Sequence, residues 1–168
     1  MKRILSLVAL SIITTLSVFS QDYIAIGKPG SAYDDASTKY ITVNQDNENV
    51  NVIPGMVFVT SQHLPGWYKI EYSPGLHAFI PEQIVAINYN VPKPGTYAIK
   101  NNPGQSITIN NDNGNWAASL NGKTYAGSTK DNNIIIFVDD SNNKAFSLVD
   151  LGDGGIVINY DNAVTKFF

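Results

Sequence analysis

Acid–base, nucleophilic or metal chemistry in this chain has to be built from two histidines, His63 and His77, plentiful Asp, Ser and Asn, and no cysteine. His63 lies in a Gln-His-Leu-Pro stretch, and His77 follows Pro74-Gly75-Leu76. Neither stands in a Gly-x-Ser-x-Gly elbow or at a His-x-x-x-His metal spacing. A Ser–His–Asp triad assembled from distant positions has no local signature, so a hydrolase is carried only as the alternative from a different class. Asn111-Asp112-Asn113-Gly114 superficially matches a calcium loop. An EF-hand also needs ligands at alternate positions and a Glu six residues beyond the Gly, where this chain has Ile109 and Leu120. Asp34-Asp35, Asp139-Asp140 and the stretch from Asp150 to Asp153 read as solvated turn acids. Spacing marks out no carboxylate pair for glycoside hydrolysis. The expectation is a chain that is not an enzyme and takes neither cofactor nor metal.

Recognition is the other chemistry the residues offer. Residues 66–85, GWYKIEYSPGLHAFIPEQIV, gather Trp67, Tyr68, Tyr72, His77 and Phe79 around Pro74-Gly75. Pro fixes φ and Gly accepts a positive φ, which suits the centre of a type II turn, so the flanks form a hairpin. Alternation puts Tyr68, Ile70 and Tyr72 on a core face and Trp67, Lys69 and Glu71 on the other. That leaves Trp67 on the wetter side, or in the interior if a loop covers it. The candidate ligand surface is Trp67, Phe79 and Pro81, with Tyr33, Tyr40 and His63 from neighbouring loops. Trp and Tyr join apolar area to a polar tip, which suits sugar faces and peptide bonds alike.

The elements that position these residues are strands. Turn signals recur along the chain and no stretch sustains a helical period, which reads as all-β. Expected strands are 23–26, 39–43, 56–60, 67–72, 77–80 and 84–87, then 95–100, 106–110, 116–120, 123–126, 134–138, 145–149, 156–160 and 163–167. Between the sets, the Asn88–Gly95 stretch carries two prolines and a glycine that interrupt pairing. The modules are therefore drawn at residues 22–90 and 94–168, with one shared core or two left open. Asn113-Gly114 and Asn121-Gly122 each supply the φ > 0 pair of a type I′ hairpin, so the second module is an antiparallel meander closing into a small barrel or sandwich. Ile134-Ile-Ile-Phe-Val138 is apolar throughout and reads as a strand buried on both faces.

Gly66-Trp67-Tyr68-Lys69-Ile70, a turn, then Ala78-Phe79-Ile80-Pro81 leading to Val85 resembles the second half of a bacterial Src-homology-3-like domain. Pro54-Gly55 before Met56-Val-Phe-Val59 is similar to the strand just upstream in that family. The resemblance covers residues 22–87 and implies a small five-stranded barrel. Trp67 and Pro81 stand where the family lines its groove. Ile84 replaces an expected Tyr and Ala78 an expected Gly, and the opening aromatic motif is absent, so Pro-rich peptide binding is not implied. For exported bacterial members the implied role is a targeting or adaptor module for wall peptides, glycans or a partner domain.

Residues 1–20 read as an export signal. Lys2 and Arg3 precede an apolar run from Ile4 to Phe19, and Val18 and Ser20 stand at the −3 and −1 positions of a cleavage site before Gln21. The run is short for a spanning helix and no stop-transfer charges follow. The chain is thus expected in the periplasm or outside the cell, with no membrane insertion after signal removal. Its formal net charge of −3 becomes more negative once Lys2 and Arg3 leave, and no basic cluster remains; this excludes the electrostatics of nucleic-acid binding. An outer-membrane barrel is disfavoured because the expected strands are short and 134–138 does not alternate. The expected function is an exported binding or adaptor protein recognising a cell-envelope peptide or glycan. The rival in the same class is an envelope-protein partner, inhibitor or assembly subunit. It would act through the second module, with Trp116 or the Ala163–Phe168 edge as its face.

Overall fold

The structure is a computed structural model that describes residues 22–42, 48–86, 89–100, 102–152, 154–160 and 163–168. The export segment read at residues 1–20 lies outside them, as do Val43 and Ile87. The described residues are all-β, with two short 3₁₀ turns.

The first half forms β1 (Asp22–Ala25), β2 (Gly30–Ser31), β3 (Asn51–Val52), β4 (Val57–Leu64), β5 (Trp67–Ser73) and β6 (Leu76–Pro81). β1, β4, β5 and β6 make one antiparallel sheet in that order, while β2 and β3 pair with each other. A 3₁₀ turn at Glu82–Ile84 then brings Val85 back to bridge Ile26. Ile24, Ile26, Val52, Phe58, Ile70, Ala78, Ile80 and Val85 fill the small barrel so made, with Tyr68 and Tyr72 packed against them. The core face read from alternation is the core face observed.

Three strand expectations are corrected. Residues 39–42 make no strand; only Ile41 bridges Tyr33, because the turn-forming Asp34–Lys39 stretch between them leaves room for little pairing. Of the strand expected at 84–87, the described residues 84–86 hold the end of the 3₁₀ turn and one bridged residue, Val85. β4 runs on to Leu64 past a register shift between Thr60 and Gln62, so His63 belongs to a strand and not to a loop.

The second half is an up-and-down meander: β7 (Gly95–Ile99), β8 (Asn102–Asp112), β9 (Asn115–Leu120), β10 (Lys123–Thr129), β11 (Ile135–Val138), β12 (Lys144–Asp150), β13 (Ile156–Tyr160) and β14 (Ala163–Phe167), each paired with the next. The Asn-Gly turns behave as their chemistry requires, with φ of 52° and 92° at Asn113-Gly114 and 52° and 76° at Asn121-Gly122. Ala98 and Phe168 exchange backbone hydrogen bonds of 3.0 and 2.9 Å, joining first strand to last in a nearly closed barrel. Its interior holds Ile107, Ile109, Trp116, Ile135, Phe137, Phe146, Leu148, Ile156 and Phe167. Outward on β7 to β10, Thr96, Thr108, Ser119 and Thr124 stand in one cross-strand row. A lipid-spanning barrel needs an apolar belt at such outward positions.

The two cores are separate, and a third lies between them. Tyr23, Ala25 and Val57 on the outer side of β1 and β4 pack against Ile134, Ile136, Val149 and Val157 on the outer side of the meander. This is why residues 134–137 are apolar without alternation: Ile135 and Phe137 face the barrel interior, and Ile134 and Ile136 face the amino-terminal sheet. Asn159, 2% exposed, is a buried polar residue of the interface beside Ser147, its Oδ1 accepting from Val57 N at 3.1 Å. Gly55, at φ +91°, is required there, since a Cβ would stand 2.4 Å from Val157 Cγ1.

The connecting stretch is a tie as well as a linker. Tyr89 is buried in the third core, its hydroxyl donates to Ile26 O at 2.7 Å, and its carbonyl accepts from Asn133 Nδ2 at 2.7 Å. Burial pushes the Tyr89 phenol well above its ordinary value and raises that of Tyr23 as well. In the unfolded chain these phenols ionise near pH ~10 while the folded ones stay protonated. The unfolded state then binds fewer protons, so stability present below pH ~10 is lost as pH rises beyond it. Thermal melts from neutral pH to strongly alkaline pH should show this fall, and Tyr89→Phe should lessen it, with Tyr23 keeping its share. At neutral pH that variant should cost only about 0.5–1.5 kcal/mol, because Ile26 O still accepts from Gly55 N at 2.9 Å.

Candidate functional site

The Pro65-Gly66 turn, with Gly66 at φ +79°, ends β4 at Leu64 and starts β5 at Trp67. Trp67 is therefore the first residue of its strand, phased with Lys69 and away from Ile70 and the small-barrel core. Across the strands, Trp67 is opposite Pro81, Lys69 is opposite Phe79, and Phe79 is bridged to Tyr33. Two backbone hydrogen bonds of 2.9 and 2.8 Å hold Tyr33 to Phe79. Residues directly paired across strands carry their side chains on the same side. Tyr33, Phe79, Lys69, Trp67 and Pro81 consequently share one outer face. The Tyr33 and Trp67 rings meet edge-on, centroids 5.6 Å apart at 86°.

Trp67, Tyr33, Phe79 and Lys69 are half-buried, whereas Pro81 is buried. Pro81 thus supports the indole as its cross-strand neighbour and offers little surface of its own. Ile41, bridged to Tyr33 and 38% exposed, extends the same face with an apolar side chain. Sequence reasoning missed it because only the Tyr33–Ile41 bridge, a tertiary pairing, tells which side it takes.

The other two candidates do not join this face. Tyr40 precedes Ile41, so alternation turns it away from Tyr33's side; it is exposed, with Lys39 Nζ 4.9 Å from its ring centroid. His63 pairs with Tyr68, one position out of phase with Trp67. Its ring stacks on Tyr68 at 4.3 Å and 7°, and its Nε2 is 3.7 Å from Glu82 Oε2. Burial, and then the Glu82 charge, raise the Tyr68 phenol's pKa above its ordinary value.

A search of models of protein families, of curated proteins and of solved structures returns no match. The geometry therefore carries the functional reading.

His63 opens on a cleft that Ser61, Asp22 and Asp131 also line. Among the described residues no hydrogen bond joins His63 to a Ser or Asp, so the nucleophile–base link of an acyl-transfer site is not assembled there. His77 is exposed on β6 opposite Glu71. No three His, Asp or Glu side chains among the described residues gather as metal ligands do. No helix among them is long and apolar enough to cross a membrane. Trp116, expected as part of an interaction face, is instead 4% exposed inside the barrel, its Nε1 donating to Thr129 Oγ1 at 2.9 Å. Its position on β9 is in phase with Ala118, which also faces inward, and burial of the indole is accompanied by a satisfied N–H.

Proposed function

We propose that this chain is an exported, non-enzymatic adaptor. Its amino-terminal sheet is a bacterial Src-homology-3-like module that recognises a cell-envelope peptide or glycan through the Tyr33–Trp67–Phe79 face. The observation that carries the reading is Trp67 itself: a half-buried indole, edge-on to a Tyr, that belongs to none of the three apolar cores. A half-buried indole outside every core, with Tyr33 and Phe79 on the same face, leaves aromatic surface free for recognition. The order of elements supports the family assignment: the Gly66-Trp67 strand, the hairpin at Pro74-Gly75, Ile80-Pro81, a 3₁₀ turn, and Val85 returning to Ile26. Lys69 at the centre of the face favours a ligand with an acidic or strongly hydrogen-bonding group, such as a wall peptide carboxylate.

Co-sedimentation of the full chain with purified peptidoglycan, run beside capture from an envelope extract, tests this. Retention on peptidoglycan that is competed by wall peptides is expected. Recovery in neither pool would sink the proposal, and capture of a protein alone would move the ligand from wall to partner.

A further inference from the structure

The nearly closed barrel has one end that the side chains of the described residues do not fill. The seam between β14 and β7 is tied at Ala98 and Phe168, and beyond that tie the inward positions change character. β13 carries Ile156 and Ile158 inward, so alternation puts Tyr160 on that side too; β14 carries Phe167 inward, so Thr165 and Ala163 follow. Ile99, Leu120 and Gln105 complete the ring. At mid-barrel the inward residues are large and seal the lumen, with Ile107, Phe137 and Leu148 at 0% exposure. At this end Ala163 is too small, Thr165 and Gln105 are polar, and Tyr160 is 53% exposed. What remains is a cup of about 220 Å³, floored by Ile158 and Phe167.

We propose that this cup binds one small, neutral ring compound carrying a single hydroxyl or amide-like group. Size sets the first limit. An apolar cavity of roughly 150 Å³ accepts benzene, so this volume admits a substituted ring and no extended lipid. Chemistry sets the second. Among the described residues that line the cup none is charged, so a charged ligand would lose its hydration without a partner from them. Among the described lining residues the polar side chains are Gln105, Thr165, Tyr160 and Asn121, and the floor is hydrocarbon and aromatic. A ring with one polar substituent matches that division. Eight-stranded barrels are wide enough to be filled by side chains or to hold one small ligand, and barrel mouths are a recurrent place for such sites. The site is independent of the Trp67 face and stands or falls separately.

The probe is p-cresol, titrated to millimolar concentration into the full chain and followed by methyl NMR. Saturable shifts are expected at Ile99, Leu120 and Ile158, with benzoate and benzylamine at least about ten-fold weaker. Ala163→Trp should block the opening, weaken p-cresol binding at least about ten-fold and leave the melting temperature and the Trp67 resonances in place. If that variant fails to fold, Gln105→Trp closes the same opening from β8. Absence of saturable shifts in the wild type, equal binding of the charged probes, or unchanged binding by a folded blocking variant would each overturn the assignment.

Discussion

Ile136→Asp is expected to lower the unfolding free energy by about 3–5 kcal/mol, the cost of an uncompensated buried charge. Ser128→Asp, directly opposite it on the adjacent strand, should stay within about 0.5 kcal/mol. The two residues are a registered cross-strand pair on the outer side of one barrel. What separates them is cover: Ile136 is 3% exposed in the core shared with Tyr23, Ala25 and Val57, and Ser128 is exposed. A loss of 3–5 kcal/mol takes away a large part of a typical domain's stability. Denaturant melts of the pair measure the inter-module packing directly. Similar small costs for both would mean that the amino-terminal sheet does not rest on β11 in solution.

Trp67→Ala should reduce affinity for the envelope ligand by about 30-fold, the loss of roughly 2 kcal/mol that marks an aromatic anchor. The cost in stability should be only about 1–2 kcal/mol. A fully buried Trp would cost about 3–5 kcal/mol on truncation, but this one is half-buried and meets the Tyr33 ring edge-on, a pairing worth about 0.5–1.5 kcal/mol. Trp116→Phe is the control, because it removes a buried indole and its Thr129 hydrogen bond and should leave ligand binding intact. A binding isotherm and a urea melt on the same preparations separate the two roles. Undiminished binding by Trp67→Ala, or a stability loss as large as a core Trp gives, would end the case for the aromatic face.

The site was partly legible before the fold. Trp67, Phe79 and Pro81 lie within one hairpin, and period-two alternation around a Pro-Gly turn is enough to put them on one face. Tyr33 arrives there through a bridge to Phe79, a pairing between residues distant in sequence that local pattern does not encode. His63 was misplaced for a related reason. The Gln-His-Leu-Pro stretch looks like a loop, but the Pro65-Gly66 turn lets β4 extend to Leu64, and one step of alternation then sets His63 beside Tyr68. Trp116 was misread because flanking Asn-Gly turns say where a hairpin bends and nothing about which of its faces is covered.

By itself, the sequence determined the all-β class, the hairpin turns at Asn-Gly and Pro-Gly, the core face of β5 and the two-sided burial read over residues 134–138, of which 134–137 are buried and Val138 is half-buried. Each of these follows from constraints acting within a few residues: the φ that only certain residues accept, and the strict alternation of side chains along a strand. Only the tertiary structure decided what covers the outer side of β11, that Tyr89 ties the two sheets together, that Ile41 and Tyr33 flank the indole, and that the described inward side chains leave a cup at one end of the barrel. Those outcomes depend on which outer faces meet and how far a sheet curls before its edges join, and such long-range choices are made by burial summed over the whole chain.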